Sequence, residues 1–197
     1  FNIGGNRVLS IAGTLNVFAG INAGSANTTG QNNAFFGRDA GQFNTTGSTN
    51  SFFGYKTGIS NMTGSNNSFF GTNAGRLNNG SSNTFVGVSA GYNNSTGSAN
   101  TFVGYKAGEA NTTTNGNSFF GSLAGASNTT GDNNSFFGQN AGMANTTGGF
   151  NSFFGESAGA GNQTGVQNAF FGFAAGQNNQ GFRNSFFGNY SGADNAG

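Results

Sequence analysis

Few side chains in this sequence have the chemistry that acid–base, nucleophilic or metal catalysis needs. The 197 residues include no His and no Cys, which removes the usual zinc, copper, haem and iron–sulfur ligands and the usual partners of a nucleophilic Ser or Cys. Five acidic residues, Asp39, Glu109, Asp132, Glu156 and Asp194, are too scattered to pair as general acid and base. We therefore expect no enzymatic activity, no bound metal and no cofactor.

Charged residues are also too sparse to define a charged partner. Six Lys and Arg are scattered among five acids for a net charge of +1, so we expect no nucleic-acid binding. No apolar run approaches the ~18 residues that cross a bilayer, so we expect no membrane-spanning segment. Tyr55–Lys56, Tyr105–Lys106 and Arg38–Asp39 share one repeat position. These pairs are either contacts for a receptor or carbohydrate or, more simply, a solvated face.

The elements that must position these residues follow a tandem repeat. A Phe-(Phe/Val/Ala)-Gly tripeptide recurs eleven times at a spacing of 17 residues, with two spacings of 16. The unit reads N-[STA]-F-F-G-x-x-A-G-x-x-N-T-T-G-x-x. Both short units, within 76–80 and 177–181, lose a residue at the Asn-Thr-Thr-Gly end. Because a disordered low-complexity chain has no reason to hold this period, the sequence predicts a single repetitive domain.

The composition of the unit favours strands and turns over helices. The chain contains 38 Gly and 35 Asn, which are poor helix formers, and no 3.6-residue apolar stripe is present. We predict an all-β fold, a β-solenoid (β-roll) with 17-residue coils, in which residues 1–13 are a lead strand and residues 14–197 form eleven repeats. Each coil is expected to be flattened, with one strand at N-S-F-F-G, a second extended run at x-A-G-x-x, and turns between them.

Three positions are the same in all eleven units. They are the Asn and the first Phe of N-S-F-F-G and the Gly after the Phe pair. The Gly is expected to be a corner with positive φ or with no room for a Cβ atom. We predict that the Asn amides donate hydrogen bonds from one coil to the next, as a ladder along the rod. These Asn residues are Asn16, Asn33, Asn50, Asn67, Asn83, Asn100, Asn117, Asn134, Asn151, Asn168 and Asn184.

The paired Phe residues carry a prediction about assembly. Adjacent side chains on a strand point to opposite faces, so only one Phe of each pair can fill the interior of a solenoid. The other Phe of each pair would form an outward stripe larger than the ~300–600 Å² patch that a soluble monomer usually exposes. We therefore expect identical chains to cover one another's stripes in a homo-oligomer.

N-S-F-F-G-x-x-A-G resembles the N-S-V-A-I-G-x-x-A/S motif in the head domains of YadA-like trimeric autotransporter adhesins. It is also similar to repeats of bacterial tail-fibre-like proteins, and the segment 101–108, TFVGYKAG, is among the closest matches. The resemblance covers about residues 14–192. It implies a parallel homotrimer whose strands pack around a threefold axis. This chain departs from the adhesin motif in its longer unit and in having Phe in place of smaller aliphatic residues.

From the repeat and the resemblance we predict a structural segment of an extracellular or surface fibre, or of a phage-like appendage. It would act as a stiff oligomeric rod that associates with itself, as a homotrimer or an end-to-end filament, with a host surface or carbohydrate as a further partner. The alternative function is an ice-binding or ligand-binding β-solenoid, although ice binding favours Thr-x-Thr on a strand face. A disordered Phe-Gly repeat is the other alternative, and its spacing would be irregular.

Asn-Thr-Thr and related tripeptides also match the acceptor pattern for N-glycosylation. The simpler interpretation is that these Asn and Thr residues cap a turn through side-chain hydrogen bonds. The matching residues are Asn27, Asn44, Asn61, Asn94, Asn111, Asn128, Asn145 and Asn162.

Overall fold

The computed structural model describes residues 15–194 and, for the backbone alone, residues 2–3, 6–7 and 9–10. It contains only strands and turns in this part of the chain. The fourteen strands are β1 (Asn2–Ile3), β2 (Asn6–Arg7), β3 (Leu9–Ser10), β4 (Val17–Ala19), β5 (Ala34–Phe36), β6 (Ser51–Phe53), β7 (Ser68–Phe70), β8 (Thr84–Val86), β9 (Thr101–Val103), β10 (Ser118–Phe120), β11 (Ser135–Phe137), β12 (Ser152–Phe154), β13 (Ala169–Phe171) and β14 (Ser185–Phe187).

One sheet joins the repeats. Strands β4 to β14 pair in parallel and in sequence order, with the equivalent residues of successive units opposite one another, such as Phe102 beside Phe119 and Phe119 beside Phe136. Eleven parallel strands therefore stack as a β-solenoid of about ten turns of 17 residues, which confirms the predicted fold. At the usual strand spacing of about 4.8 Å, the stack is roughly 48 Å long.

The rest of each coil is a run of tight turns. Across x-A-G-x-x the backbone bonds within the coil, as from Asn128 N to Gly125 O (3.0 Å), and to the next coil, as from Gly125 N to Ala141 O (3.0 Å). The expected second strand at x-A-G-x-x is therefore wrong, and so is the flattened two-strand coil. The Gly of this motif, with φ near +57°, turns the backbone out of the extended region.

The glycine after each Phe pair is a corner, as predicted. Gly104 has a φ of +140°, and a Cβ atom there would lie closer than 3.0 Å to the carbonyl oxygen of Gly121. Only glycine combines this backbone conformation with such close stacking of one coil on the next. The position is therefore fixed by both of the reasons that the sequence suggested.

The interior of each coil is small and holds a single large side chain. The first Phe of each pair is buried, except Phe186 in the last coil, which is partly buried, and each ring stacks on the rings of the neighbouring coils at centroid distances of 4.7–5.1 Å. The Ala of A-G packs in the same core, and its Gly lies against the ring: a Cβ atom at Gly108 would be 2.6 Å from Phe102 Cδ2. The Phe ring thus dictates the glycine six residues later.

The invariant Asn column links successive coils through hydrogen bonds between its side-chain amides and the backbone. Asn117 Oδ1 accepts a hydrogen bond from Asn134 N (2.9 Å), and Asn117 Nδ2 donates to Gly131 O (2.9 Å). The same pair of bonds recurs at Asn134, which receives Asn151 N and donates to Gly148 O. The predicted amide-to-amide ladder is therefore wrong for this column, although each amide does join successive coils.

A second Asn column forms the amide-to-amide ladder. Asn128 Nδ2 donates to Asn111 Oδ1 (3.1 Å) and Asn145 Nδ2 to Asn128 Oδ1 (2.7 Å), while Asn128 Nδ2 also reaches Gly131 O (2.9 Å). Within the described coils the ladder stops at the second short unit, where Asn162 Oδ1 and Asn179 Nδ2 are buried without partners. The column consists of Asn27, Asn44, Asn61, Asn78, Asn94, Asn111, Asn128, Asn145 and Asn162.

In each short unit a side-chain oxygen accepts hydrogen bonds that a backbone carbonyl accepts in a full-length unit. In a full-length unit, the carbonyl oxygen of Thr45 accepts bonds from three successive N–H groups of the preceding coil (2.9–3.2 Å). In the first short unit, Asn79 Oδ1 accepts from the N–H groups of residues 62–64 (2.8–3.3 Å). In the second, Gln180 Oε1 accepts from Gln163 N (3.0 Å). A side-chain carbonyl therefore replaces the missing backbone carbonyl for three N–H groups in the first short unit and for one in the second.

The first Asn column leads to a pH-dependent prediction. We expect Asn134→Asp to destabilise the fold by roughly 3 kcal/mol at pH 7, because a buried carboxylate would face Gly148 O with no donor to offer. Burial raises the pKa of that carboxyl above its unfolded value of about 3.9. The penalty is therefore full above the raised pKa and shrinks as pH falls through it, because the protonated carboxyl can again donate.

Urea unfolding at pH 7 and pH 4 measures this effect, and Asn133→Asp is the matched control because Asn133 is exposed. An equal loss for both variants at pH 7, or a gap that does not narrow at pH 4, would contradict the assigned hydrogen bonds.

The predicted lead strand, residues 1–13, falls largely outside the described residues. The described backbone there shows β1 and β2 paired antiparallel, and β3 paired antiparallel with β4. β3 therefore occupies the edge of β4 that faces away from β5.

Candidate interaction surface

The second residue of each Phe pair forms a continuous outward column, which we call the aromatic stripe. On each strand from β4 to β13 the first Phe is buried and the residues on either side of it point outward, as the alternation of a strand requires. The predicted division of each pair into an inner and an outer side chain is therefore confirmed. The stripe consists of Ala19, Phe36, Phe53, Phe70, Val86, Val103, Phe120, Phe137, Phe154, Phe171 and Phe187.

Stacking reduces how much of the stripe meets solvent. The rings of Phe120 and Phe137 lie 4.7 Å apart and within 8° of parallel, and those of Phe154 and Phe171 lie 4.9 Å apart. Each ring thus covers its neighbours' faces and presents mainly its edge, so Phe36 is 38% exposed and Phe70 41%. The exposed apolar surface is smaller than eleven separate rings would offer, because neighbours in the column shield one another.

Two valines interrupt the stripe. Val86 and Val103 occupy successive coils between the rings of Phe70 and Phe120, so one face of each of those rings lacks an aromatic neighbour. The stripe is therefore two runs of stacked rings separated by a shallow apolar step, about 14 Å between ring planes at the strand spacing.

A second exposed column runs beside the stripe, one residue beyond the corner glycine; we call it the flanking column. It carries two charges of opposite sign, Arg38 and Glu156, and aromatic or aliphatic side chains near the valine step and towards both ends. The flanking column consists of Ile21, Arg38, Tyr55, Thr72, Val88, Tyr105, Ser122, Gln139, Glu156, Phe173 and Asn189.

The Tyr–Lys and Arg–Asp pairs lie on this exposed side. Lys56 is 5.1 Å from the centroid of the Tyr55 ring and Lys106 is 5.7 Å from that of Tyr105, distances typical of cation–π contacts. Lys106 Nζ also lies 3.2 Å from Glu109 Oε2, and the hydrogen bond and charge of Glu109 raise the pKa of Lys106. The two Tyr–Lys pairs are three coils apart and do not contact each other, so the structure does not bring them together as one site.

The arginine of the other pair keeps most of its donors free. Arg38 Nε lies 3.5 Å from Asp39 Oδ2, and Asp39 is buried and accepts a hydrogen bond from Asn22 Nδ2 (2.9 Å). The Arg38 side chain remains 65% exposed. Among the described residues no Lys or Arg lies within ion-pair distance of Glu156.

The Asn residues of the glycosylation pattern are mostly interior. Asn44, Asn61, Asn111, Asn128 and Asn145 are fully buried, and their Nδ2 groups serve the second Asn ladder. A sugar on Nδ2 needs that nitrogen at the surface, so the folded coil favours the interpretation in which these residues cap a turn. The Thr that follows each of them donates to the next coil, as Thr129 Oγ1 does to Thr146 O (3.0 Å).

Hydroxyl groups on the strand face do not form a Thr-x-Thr array. The outward positions of β9 are Thr101 and Val103, and those of β11 are Ser135 and Phe137. The Thr ladders lie in the turn, where their hydroxyl protons are already used by backbone oxygens. No observation therefore favours the alternative ice-binding function.

The described residues contain no group of three or more acidic side chains placed to hold a metal ion. In that same portion no helix is long and apolar enough to cross a membrane.

The chain matches no protein-family model, no curated protein and no solved structure.

Proposed function

We propose that this chain is a structural segment of an extracellular or surface fibre, in which copies of the solenoid associate through the aromatic stripe. The observation that carries this proposal is the continuity of the stripe: an apolar residue stands at its position in every coil from β4 to β14. Ring edges in one plane suit packing against another flat apolar surface. They are less suited to stacking on sugars, because the ring faces already pair with each other.

The interior explains why such a rod would be stiff. Each coil is tied to the next by strand pairing, turn hydrogen bonds, stacked Phe rings and two Asn columns. No layer of loosely packed side chains separates the coils, so bending would have to break several of these contacts together. The proposed role is therefore mechanical and non-enzymatic, with length set by the number of coils.

The number of chains comes from the resemblance to adhesin heads, which implies a homotrimer. End-to-end growth is less favoured at the N-terminal side, because β3 already occupies the open edge of β4.

The chain has only six Lys and Arg residues, which leave few sites for trypsin-like proteases and suit an extracellular setting. A host surface or carbohydrate remains a proposed partner for the variable flanking column.

Sedimentation velocity at micromolar concentration tests self-association. We expect a species that is a multiple of the 19.8 kDa chain, and three chains if the resemblance holds. Replacing both Phe137 and Phe154 by Ser, in the middle of the longer aromatic run, should shift the protein to single chains, because polar side chains would break the apolar contact. Phe43→Ser is the matched control, since Phe43 is exposed but lies outside the stripe.

A wild-type protein that stays monomeric would contradict the proposed assembly. So would a Phe43→Ser variant that dissociates as fully as the double stripe variant does. Circular dichroism on each variant shows whether the solenoid remains folded, which separates loss of assembly from loss of structure.

A further inference from the structure

The order of residues along the stripe and the flanking column carries information about how two copies meet. We propose that two rods pack stripe to stripe in antiparallel orientation, with Val86 of one copy facing Val103 of the other. This inference rests on the proposed self-association but adds an orientation and a register. It differs from the parallel orientation that the resemblance to adhesin heads implies, and the experiment below distinguishes the two.

The geometry of a face-to-face pair decides which columns meet. When two sheet faces are related by a twofold axis perpendicular to the rods and lying in the interface, the rods run in opposite directions. The stripe then covers the stripe, and the flanking column covers the flanking column. In a parallel pair the twofold axis runs along the rods. When stripe covers stripe in that pair, the flanking column of one copy faces the partner's residues at the start of each strand, on the other side of the stripe. The flanking residues can therefore pair with each other only in the antiparallel arrangement.

The two charges of the flanking column fit that arrangement. Arg38 lies three coils before Val86, and Glu156 lies three coils after Val103, so an antiparallel pair centred on the valine step brings Arg38 of each copy opposite Glu156 of the other. The interface would thus hold two equivalent ion pairs. No other charged residues lie in the column, so no like charges are brought together.

The uncharged residues of both columns match in the same register. The half-buried Ile21 comes opposite the exposed Phe173, and Val88 comes opposite Tyr105, both of which are exposed. These four are the apolar side chains of the flanking column apart from Tyr55. The bulk of Tyr105 lies beside the valine step, where the stripe has no rings. The small outward residues at the start of each strand also meet one another, as Ser51 with Ser135 and Thr84 with Thr101.

The area is sufficient for a specific, if modest, interface. A face about 48 Å long and roughly 10 Å wide gives about 500 Å² per copy and about 1,000 Å² in total, near the lower limit for specific protein interfaces. Charge complementarity and register then decide which of the possible apolar contacts is adopted, because the stripe alone has little directional preference.

Distance measurements between spin labels test the orientation directly. Because the chain has no Cys, single variants Gln139→Cys and Asn189→Cys place one nitroxide on each copy in the flanking column. In the antiparallel pair the two labels are separated by about 24 Å at position 139 and about 53 Å at position 189, which are five and eleven strand spacings. In any parallel in-register assembly, including a trimer, both positions give the same distance.

Charge reversal provides an independent readout. We expect Arg38→Glu and Glu156→Arg each to raise the dissociation constant roughly threefold to tenfold, and the double variant to return it to within about twofold of the wild type. Arg38→Glu combined with Glu109→Arg has the same net charge as that double variant, but Glu109 is outside the flanking column, so it should not restore association.

The outcomes separate this inference from the proposed function. Unequal label distances that differ by about 29 Å, together with rescue by the double reversal, support the antiparallel pair. Equal distances at the two positions overturn the orientation while leaving self-association intact. A single-chain species without inter-label coupling overturns both.

Discussion

Replacing Phe119 by Ala is expected to lower the free energy of unfolding by about 3–5 kcal/mol. Phe119 is fully buried, with the rings of Phe102 and Phe136 stacked on its two faces at 4.9 and 4.8 Å. Ala124 is the other residue of this coil in the buried core, and it is too small to fill the space, so the cavity would stay open. The loss should be among the largest for a single side-chain truncation in this chain.

Phe120→Ala is the matched control, because the same residue type stands one position further along the strand. Phe120 belongs to the aromatic stripe and stacks on one side only, on Phe137, so we expect a loss of about 1 kcal/mol in the isolated chain. Urea unfolding followed by circular dichroism, at concentrations below self-association, compares the two. Similar losses for both variants would show that the inner and outer assignment of the pair is incorrect.

The second large effect is expected at a corner. Gly104→Ala should destabilise the solenoid by about 3 kcal/mol or more, because two costs add there: a φ of +140° that side chains avoid, and overlap with the carbonyl oxygen of Gly121. Relieving the overlap would separate two coils that are joined by strand pairing and stacked rings.

Gly149→Ala serves as the control for this substitution. Gly149 has no positive φ, and a Cβ atom there would be 3.1 Å from Asp132 O, a tight contact that a small shift can relieve. We expect a change within about 1 kcal/mol. Thermal unfolding of the two variants side by side gives the comparison, and a Gly104→Ala protein as stable as Gly149→Ala would argue against the close stacking of the corners.

The repeat period, the strand of each unit and the alternation of the Phe pair could be predicted from the sequence, because each depends on local stereochemistry. A two-residue alternation must place Phe119 and Phe120 on opposite faces whatever the rest of the coil does, and the structure shows that Phe119 is the inner one. The corner at Gly104 followed for a similar reason, since glycine repeated without exception marks a conformation that other residues avoid.

The conformation of the rest of the coil could not be predicted from the sequence, because it depends on which hydrogen-bond partner each polar group has. The x-A-G-x-x run has no feature that separates a weak strand from a turn until the Phe102 ring is in place against Gly108. The role of Asn128 as a ladder residue was missed, although an Asn recurs there in successive units. The recurring Asn was interpreted as a glycosylation acceptor or a turn cap, because the sequence does not show that its amide meets the equivalent amide of the next coil.

The candidate surface was predicted in outline and corrected in extent. An outward Phe column follows from the pair itself, but the shielding of Phe137 by its neighbours depends on rings of successive coils lying flat on each other. The proposed pairing of Arg38 with Glu156 of a second copy depends on two columns that run in opposite directions, so it cannot be predicted from a single repeat.

The Asn79 side chain, which replaces a missing backbone carbonyl, has a consequence for folding. It helps the chain to avoid pairing its strands in the wrong register. Eleven near-identical units allow a strand to add one unit too early or too late with little loss of energy, since most neighbours would look alike. A short unit placed one position out would move its Asn79 amide oxygen away from the N–H groups of residues 62–64, and those groups would lose the acceptor that they share in the correct alignment. The two irregular units therefore act as landmarks that make the correct alignment distinguishable from its nearest errors.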